Sequence, residues 1–227
     1  RNTKKFPKLL DLCTIKADPG VYHKHWIVVT SIQLPTDTVR RLAQIPGWRL
    51  VVVGDLKTPP NWHLDGVIYL STDKQKELCY RTVAHLPYNS YTRKMVGYLY
   101  AIQHGAKYIY DTDDDNVPFD NLTTFHVNEM TKILTAETEK VVFNPYAHFG
   151  QASIWPRGFP IEHFTGASDF HDYKLKYIET PVVQQGLING DPDVDAYYRM
   201  TRKNVHEKLR IEMDTVGPPV ALPPKTF

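Results

Sequence analysis

The first half of the chain alternates short apolar runs with helix-like segments, and this alternation constrains the fold more than any other feature. Four of the runs are strand-sized and rich in β-branched and aromatic residues: 25–32, 48–53, 66–70 and 108–110. Strands that alternate with helices are typical of a parallel sheet covered by helices. The sequence therefore predicts an α/β fold with a mostly parallel central sheet flanked by helices.

Cap and stop residues indicate where the helices of this first half lie. They predict helices over residues 36–45, from Ser71 to about residue 83, and from Ser90 to Gly105. The spacing of apolar residues in the third helix predicts a buried face. Four residues form that face: Met95, Val96, Leu99 and Ile102. Helices at these positions supply the crossovers that parallel strands need.

The second half has a less regular pattern. Residues 141–143 are predicted to form a strand, and residues 144–165, rich in proline, glycine and aromatics, an ordered loop over a site. A further helix is predicted to begin at Asp191 and Pro192, because proline is favoured at the first helical position.

The size of the chain bounds the number of domains. Its 227 residues, 42% of them hydrophobic, are enough for one sizeable core and too few for two comfortable domains. We therefore expect a single domain over residues 1–227, with an irregular lead-in at residues 1–24 and a proline-rich, extended tail at residues 217–227.

An acidic run, YDTDDDN at residues 110–116, follows the fourth predicted strand directly. Its four carboxylates are Asp111, Asp113, Asp114 and Asp115. Carboxylates packed so closely repel one another unless a cation or full solvation separates them. In open parallel sheets, ligands bind outside the carboxyl ends of the strands, which is where this run lies. Because carboxylates suit Mg²⁺ or Mn²⁺, the run predicts a metal site for a diphosphate ligand, with these four residues as metal ligands.

Three other hypotheses compete with this metal site. An EF-hand loop starting at Asp111 would need glycine at 116 and glutamate at 122, where Asn116 and Leu122 stand. A phosphatase loop would use Asp111 as the nucleophile and Asp113 as the acid, and would prefer Thr or Val where Asp115 stands. The third hypothesis is a solvated turn, which a strand leading straight into the run disfavours.

Two cations and one aspartate are predicted to bind the ligand beside the metal. Arg93 and Lys94 lie in the first turn of the third predicted helix, where a bound diphosphate would offset their repulsion from the helix dipole. Two exposed, solvated cations are the alternative. Asp55 ends the second strand and is predicted to bond a ribose or a base edge; an ordinary turn aspartate is the alternative. The other residues predicted to bind the cofactor are Thr30, Asp111 and Thr112.

A second acidic cluster, NGDPDVD at residues 189–195, predicts the catalytic base. Asp191 is expected to cap the helix, which leaves Asp193 or Asp195 to take a proton from an acceptor hydroxyl. His148 is a weaker candidate, because a single histidine is more often structural.

Charge and composition exclude several classes of protein. A net charge of +2 and a pI near 8.4 argue against a nucleic-acid binder, and no apolar run reaches the ~18 residues of a membrane span. The two cysteines, Cys13 and Cys79, form either one disulfide or two free thiols. Residues 121–123 form a glycosylation sequon, NLT, which would be used only in a secretory lumen.

Several longer motifs resemble the STELLO family of Golgi glycosyltransferases. They include WIVVT at residues 26–30, GWRLVVVGD at 47–55 with KTP at 57–59, LPYNSY at 86–91 with Arg93 and Lys94, AIQHGA at 101–106, NPY at 144–146, WPRG at 155–158, and the segment from QQG at 184–186 to DVD at 193–195. The resemblance covers most of residues 25–225.

The resemblance implies a GT-A-like Rossmann-type fold, a nucleotide-sugar donor and a divalent metal. In the family pattern, Asp111, Asp113 and Asp114 match the metal motif, and Arg93 and Lys94 the donor-side helix. A third metal ligand, often histidine in GT-A enzymes, would come from a late segment beyond residue 227. The family pattern also implies a type II membrane protein, held by an N-terminal anchor outside this sequence, with this domain in the Golgi lumen.

The function expected on these grounds is transfer of a sugar from a UDP-sugar to a glycan or protein hydroxyl with Mn²⁺ or Mg²⁺, by an inverting reaction. The alternative is a catalytically idle GT-A domain that scaffolds or regulates other Golgi enzymes, since family members also act as partners of such enzymes. The expected partners are the donor, the acceptor, and a second copy of the chain or a Golgi enzyme complex.

Overall fold

The computed structural model describes residues 18–119, 122, 128–137, 142–164, 172–214 and 219–222. The chain divides into two compact units, Arg1–Leu122 (unit 1) and Thr123–Phe227 (unit 2). Whether the two units act together as the single catalytic domain expected over residues 1–227 stays a prediction.

Unit 1 is built on a four-stranded parallel sheet. Its strands are β1 (His25–Thr30), β2 (Arg49–Val53), β3 (Ile68–Leu70) and β4 (Tyr108–Asp111), in the order β3-β2-β1-β4. β1 pairs with β2 on one side and β4 on the other, and its four middle residues are fully buried. The predicted α/β, Rossmann-type fold with a mostly parallel central sheet is confirmed.

Three helices flank this sheet: α1 (Asp37–Ala43), α2 (Thr72–Glu77) and α3 (Lys94–Gln103). The hydroxyls of Thr36 and Ser71 cap α1 and α2, as their sequence signals predict. Ser90 caps a short 3-10 turn that leads into α3. α2 is shorter than predicted, because the chain turns away after Glu77 instead of continuing to residue 83.

The buried face of α3 differs from the prediction. Val96 is fully buried, but Met95 and Ile102 are 50% and 60% exposed. The helix lies against the sheet along Gly97, whose missing side chain lets the backbone approach Val28 of β1. The buried stripe therefore consists of Val96, Gly97, Tyr100 and Ala101, together with Lys94 at the start of the helix, while Met95 and Ile102 turn toward solvent.

Apolar side chains cover both faces of the sheet. On the α3 side, the cluster consists of Trp26, Val28, Val51, Val53, Leu70, Val96, Tyr100 and Ala101. On the α1 side, it consists of Ile27, Val29, Val39, Leu42, Leu50, Val52, Trp62 and Leu122. Because both faces of β1 are covered, its near-continuous apolar sequence is what a central parallel strand requires.

Unit 2 contains a smaller mixed sheet in the order β6-β5-β7. β5 (Met130–Glu137) pairs antiparallel with β6 (Asp172–Glu179) and parallel with the short β7 (Val220–Ala221). The strand predicted at residues 141–143 is wrong for residues 142 and 143, which lie outside any strand, and residue 141 lies outside the described residues.

The described part of unit 2 also contains two short α-helices, α4 (Pro145–His148) and α5 (Ala196–Thr201), and a 3-10 turn at Ile161–His163. The helix predicted to start at Asp191 and Pro192 begins five residues later, at Ala196, with Asp195 as its N-cap. The predicted cap at Asp191 is therefore wrong, because Asp195 is the residue whose carboxylate accepts a bond from the first-turn amide of Tyr198.

Two further features concern the cysteines and the length of the helices. Cys79 is disulfide-bonded, and the described residues include no free cysteine. The other cysteine, Cys13, and Asn121 of the sequon lie outside the described residues. In the described part of the chain, every helix is too short or too polar to cross a bilayer.

Replacing Gly97 with alanine should destabilise unit 1. The new Cβ would lie 2.5 Å from Val28 Cγ1 and 2.8 Å from Val53 Cγ2. We expect a net loss of about 1–2 kcal/mol, because the overlap outweighs the gain in helix propensity. Urea denaturation measures this, with Gly186→Ala as the control because a Cβ there meets no atom within 4 Å. Equal stability of the two variants would contradict the close packing of α3 on β1.

Candidate functional site

A cavity of about 340 Å³ lies at the carboxyl ends of β1 and β2, within unit 1. Its lining includes four of the residues predicted to form the site: Thr30, Asp55, Arg93 and Asp114. The other lining residues are Ser31, Ile32, Gln33, Val53, Gly54, Lys57, Asn89, Ser90 and Tyr91. The carboxyl ends of parallel strands are where α/β sheets bind ligands.

A tight turn after β2 forms one wall of the cavity. The Asp55 amide donates to Thr58 Oγ1 at 2.8 Å, and the Thr58 amide donates back to the Asp55 carbonyl at 3.0 Å. The Thr58 hydroxyl in turn donates to the Ser31 carbonyl at 2.7 Å, which ties the turn to the end of β1. The wall is therefore held rigidly by bonds to the neighbouring strand.

The Asp55 carboxylate links two walls of the cavity. One of its oxygens accepts from the Leu56 amide at 2.7 Å and the other from the Ser90 amide at 3.1 Å. Asp55 therefore fixes the segment that leads into α3. Its predicted bond to a ribose or base stays a prediction.

Asp114 joins the acidic run to the segment between β1 and α1. Its carboxylate accepts from the Ser31 hydroxyl at 2.5 Å, and its carbonyl accepts from the Thr36 hydroxyl at 2.6 Å. Thr36 also caps α1, so one hydroxyl anchors both the helix and the acidic run. Among the described residues, no cation pairs with Asp114 or Asp115.

Lys94 is a buried cation at the centre of the acidic run. Its ammonium contacts Asp111 Oδ1 at 2.6 Å and donates to Asp113 Oδ1 at 3.0 Å and to the Thr112 carbonyl at 2.9 Å. The side chain is only 9% exposed, so the alternative of a solvated cation is wrong for this residue. The ammonium neutralises part of the charge that the clustered carboxylates carry.

Two tyrosines of the same region bond the acidic run. The Tyr91 phenol hydrogen-bonds Asp113, and the Tyr98 phenol hydrogen-bonds Asp111. Desolvation, the nearby Asp113 charge and this hydrogen bond raise the pKa of Tyr91 to about 12. Desolvation followed by the bond to Asp111 raises the pKa of Tyr98 as well. Both phenols therefore remain protonated donors near neutral pH.

Arg93 is also buried, at 1% exposure, but it is held by neutral groups. Its Nε and Nη2 donate to Gln75 Oε1 at 2.9 and 2.6 Å, and its Nη1 donates to the Leu86 carbonyl at 3.1 Å. Gln75 in turn donates to the carbonyls of Gly54 and Leu70, at the ends of β2 and β3. Arg93 therefore locks α3 to the strand ends that frame the cavity.

The acidic run does not form a metal site from protein ligands alone, but it suits a site that substrate phosphates complete. In the described part of the chain, no group of three or more His, Cys, Asp and Glu side chains converges to hold a metal by itself. Mg²⁺ or Mn²⁺ needs only one or two carboxylates when substrate phosphates supply the other oxygens. Asp114 and Asp115 meet that demand, because neither is neutralised by a described cation and Asp114 lines the cavity.

The second acidic cluster lies in unit 2. Asp195 is 6% exposed, and its two oxygens accept from the amides of Tyr198 and Trp155. The Asp193 side chain is 63% exposed and pairs with Arg157 at 2.8 Å. Asp195 therefore has a structural role as a cap, and Asp193 has the more accessible carboxylate. The catalytic role predicted for them stays a prediction.

Sequence reasoning missed several residues that build the site. Gln75 and Ser31 have no charge or motif to mark them, although Ser31 directly follows β1. Lys57 belongs to the KTP motif at residues 57–59, but no binding role was predicted for it. It follows the end of β2 just as the acidic run follows the end of β4. Proximity to a strand end was the available signal for both Ser31 and Lys57.

Two relatives from Arabidopsis thaliana match most of this chain. One, named "Probable glycosyltransferase STELLO1", is 42% identical over 209 residues, covering 87% of this chain and 27% of the relative. The other, "Probable glycosyltransferase STELLO2", is 43% identical with the same coverage. The chain thus spans 27% of the length of the relatives it matches, and no family model matches it. The predicted STELLO-like resemblance is confirmed over 87% of the chain.

Removing the Lys94 ammonium should destabilise unit 1. In Lys94→Met, Asp111 and Asp113 lose their shared counter-ion. Because these carboxylates are 54% and 34% exposed, solvent screens part of the loss. We expect a decrease of about 1–3 kcal/mol in the free energy of unfolding. Urea denaturation in the presence of a chelator measures it.

The matched control is Lys76→Met, which breaks the exposed pair between Lys76 and Asp73. This change should have little effect, because both side chains are well solvated. If the two variants were equally stable, the acidic run would not depend on an internal counter-ion.

Proposed function

We propose that this chain, which is STELLO-like over 87% of its length, is the donor-binding part of a glycosyltransferase. It would move a sugar from a UDP-sugar to a glycan or protein hydroxyl. The relatives' names support glycosyl transfer in general. The donor, the acceptor, the metal and the inverting course of the reaction are our proposal.

The main support for this proposal is that the cavity and the acidic run share one residue. Asp114 belongs to both, because it lines the cavity and lies in the turn that follows β4. A nucleotide held against the strand ends would bring its diphosphate toward this carboxylate. The same arrangement disfavours a phosphatase, since Asp111 is bonded to Lys94 and Tyr98 and is absent from the cavity lining.

A divalent cation bound through Asp114 and Asp115 would neutralise charge on the departing diphosphate. Lys94 and Tyr91 would keep Asp113 in place, and Ser31 would orient Asp114. These contacts hold the run in one arrangement before the ligand arrives, which reduces the cost of ordering it on binding.

An inverting reaction also needs a base for the acceptor hydroxyl. Of the two candidates in unit 2, Asp193 suits this role better, because its carboxylate is exposed. Both oxygens of Asp195 are already bonded, one to the first turn of α5 and the other to the Trp155 amide. We therefore propose Asp193 as the catalytic base, and it is the first of the two residues to test by mutation.

A Golgi lumen is the proposed location. The disulfide at Cys79 supports it, because disulfides persist in oxidising compartments such as the secretory pathway and are rare in the cytosol. Attachment through an N-terminal anchor outside this sequence, and assembly with a second copy or with other Golgi enzymes, are proposed with it.

A second candidate, an idle domain that scaffolds other enzymes, is favoured by one observation. Lys94 already neutralises charge on Asp111 and Asp113, so the acidic run does not need a metal in order to fold. Turnover separates the two candidates. An active transferase releases UDP from a UDP-sugar when an acceptor or water is present, and an idle domain does not.

Isothermal titration calorimetry with UDP tests the donor assignment. We expect binding in the presence of Mn²⁺, and binding weaker by about tenfold or more in Asp114→Asn, since one charged contact is worth that much. Asp65→Asn is the control, because the Asp65 side chain is fully exposed and lies outside the cavity lining. Absence of Mn²⁺-dependent binding at about 1 mM UDP would contradict the assignment.

A further inference from the structure

Two basic side chains, Lys57 and Arg93, line the cavity, and Arg93 is already bonded to other residues of the protein. Arg93 is 1% exposed and donates from all three of its nitrogens, to Gln75 and Leu86. Its guanidinium stacks on the Tyr88 ring, 4.4 Å from the centroid. Moving it toward a ligand would break a buried network, so Arg93 contributes a fixed charge.

Lys94, the other cation predicted to bind a diphosphate, has no donor to spare. An ammonium carries three N–H donors. Three oxygens lie within 3.0 Å of this one, from Asp111, Thr112 and Asp113. A phosphate could reach Lys94 only by displacing one of them.

Lys57 differs from both residues. It is exposed, and its ammonium makes no hydrogen bond or ion pair with any described residue. Its backbone, in contrast, is fixed, because it lies in the turn that Asp55 and Thr58 close through reciprocal hydrogen bonds. The turn thus holds the base of a flexible side chain at the cavity while leaving its charge available.

We propose that Lys57 is the residue whose ammonium contacts the phosphate groups of the nucleotide in this cavity. Arg93 and Lys94 serve instead as internal cations that position α3 and the acidic run. The inference rests on the proposed function, since it assigns the phosphate contact of the same site. It replaces the role that the sequence predicted for Arg93 and Lys94.

The division of roles follows from burial. A buried, fully bonded cation gives a constant potential but cannot follow a ligand that enters and leaves. A lysine on a rigid turn can form an ion pair when the phosphate arrives and release it afterwards. It loses only the rotamer freedom of one side chain on binding.

The test compares UDP with uridine, which lacks phosphate, in calorimetric titrations with saturating Mn²⁺. Lys57→Met should bind UDP about tenfold more weakly than the unmodified chain, because one charge-assisted contact is lost. Its affinity for uridine should be unchanged. Lys57→Arg keeps the charge and should restore most of the UDP affinity. Lys107→Met, an exposed lysine outside the cavity lining, is the matched control and should bind both ligands normally.

Equal UDP affinity in Lys57→Met and the unmodified chain would overturn the inference and leave the proposed function standing. An equal loss of UDP and uridine affinity would also overturn it, since the residue would then shape the cavity instead of contacting phosphate. Failure of the unmodified chain to bind UDP would remove the proposed function and this inference together. Because Lys57 is exposed and unpaired among the described residues, its variants should fold normally.

Discussion

The ion pairs of Lys94 with Asp111 and Asp113 are the interaction on which the arrangement of the site depends. Four carboxylates within five residues would drive the turn after β4 apart if nothing opposed their repulsion. The ammonium enters from α3 and holds two of these side chains. The remaining two, Asp114 and Asp115, are left without a described cation. The acidic run is thus divided into a structural half and a half available for a ligand.

The fold explains how a lysine comes to lie there. α3 can approach the sheet closely because Gly97 faces Val28 and Val53, and this approach carries Lys94 to the end of β4. Arg93, one residue earlier, is drawn to Gln75 at the ends of β2 and β3. Two consecutive cations therefore point to two different strand ends. Protein oxygens offset the repulsion between these two cations and the helix dipole, so that no bound anion is required to stabilise them.

Sequence reasoning located the carboxyl ends of the four strands in unit 1 to within two residues, but it misjudged the partners of the charged residues. The apolar runs and the caps at Thr36 and Ser71 are local signals, so the sheet and helices of unit 1 were predictable. The bonds of Lys94 to Thr112 and of Arg93 to Gln75 each join residues 18 positions apart, and they depend on how α3 packs. β5 and β6 were missed because several of their side chains are exposed and charged, so that the strands lack an apolar run.

The central claim is that a nucleotide binds at the carboxyl ends of β1 and β2, against the turn that contains Lys57. Backbone amide shifts, recorded by NMR while UDP and Mg²⁺ are added to the labelled chain, test it most directly. The largest shifts should occur in the segments 31–33, 55–57 and 89–91, where every residue except Leu56 lines the cavity. Shifts confined to unit 2, or binding with no shift at these three segments, would contradict it.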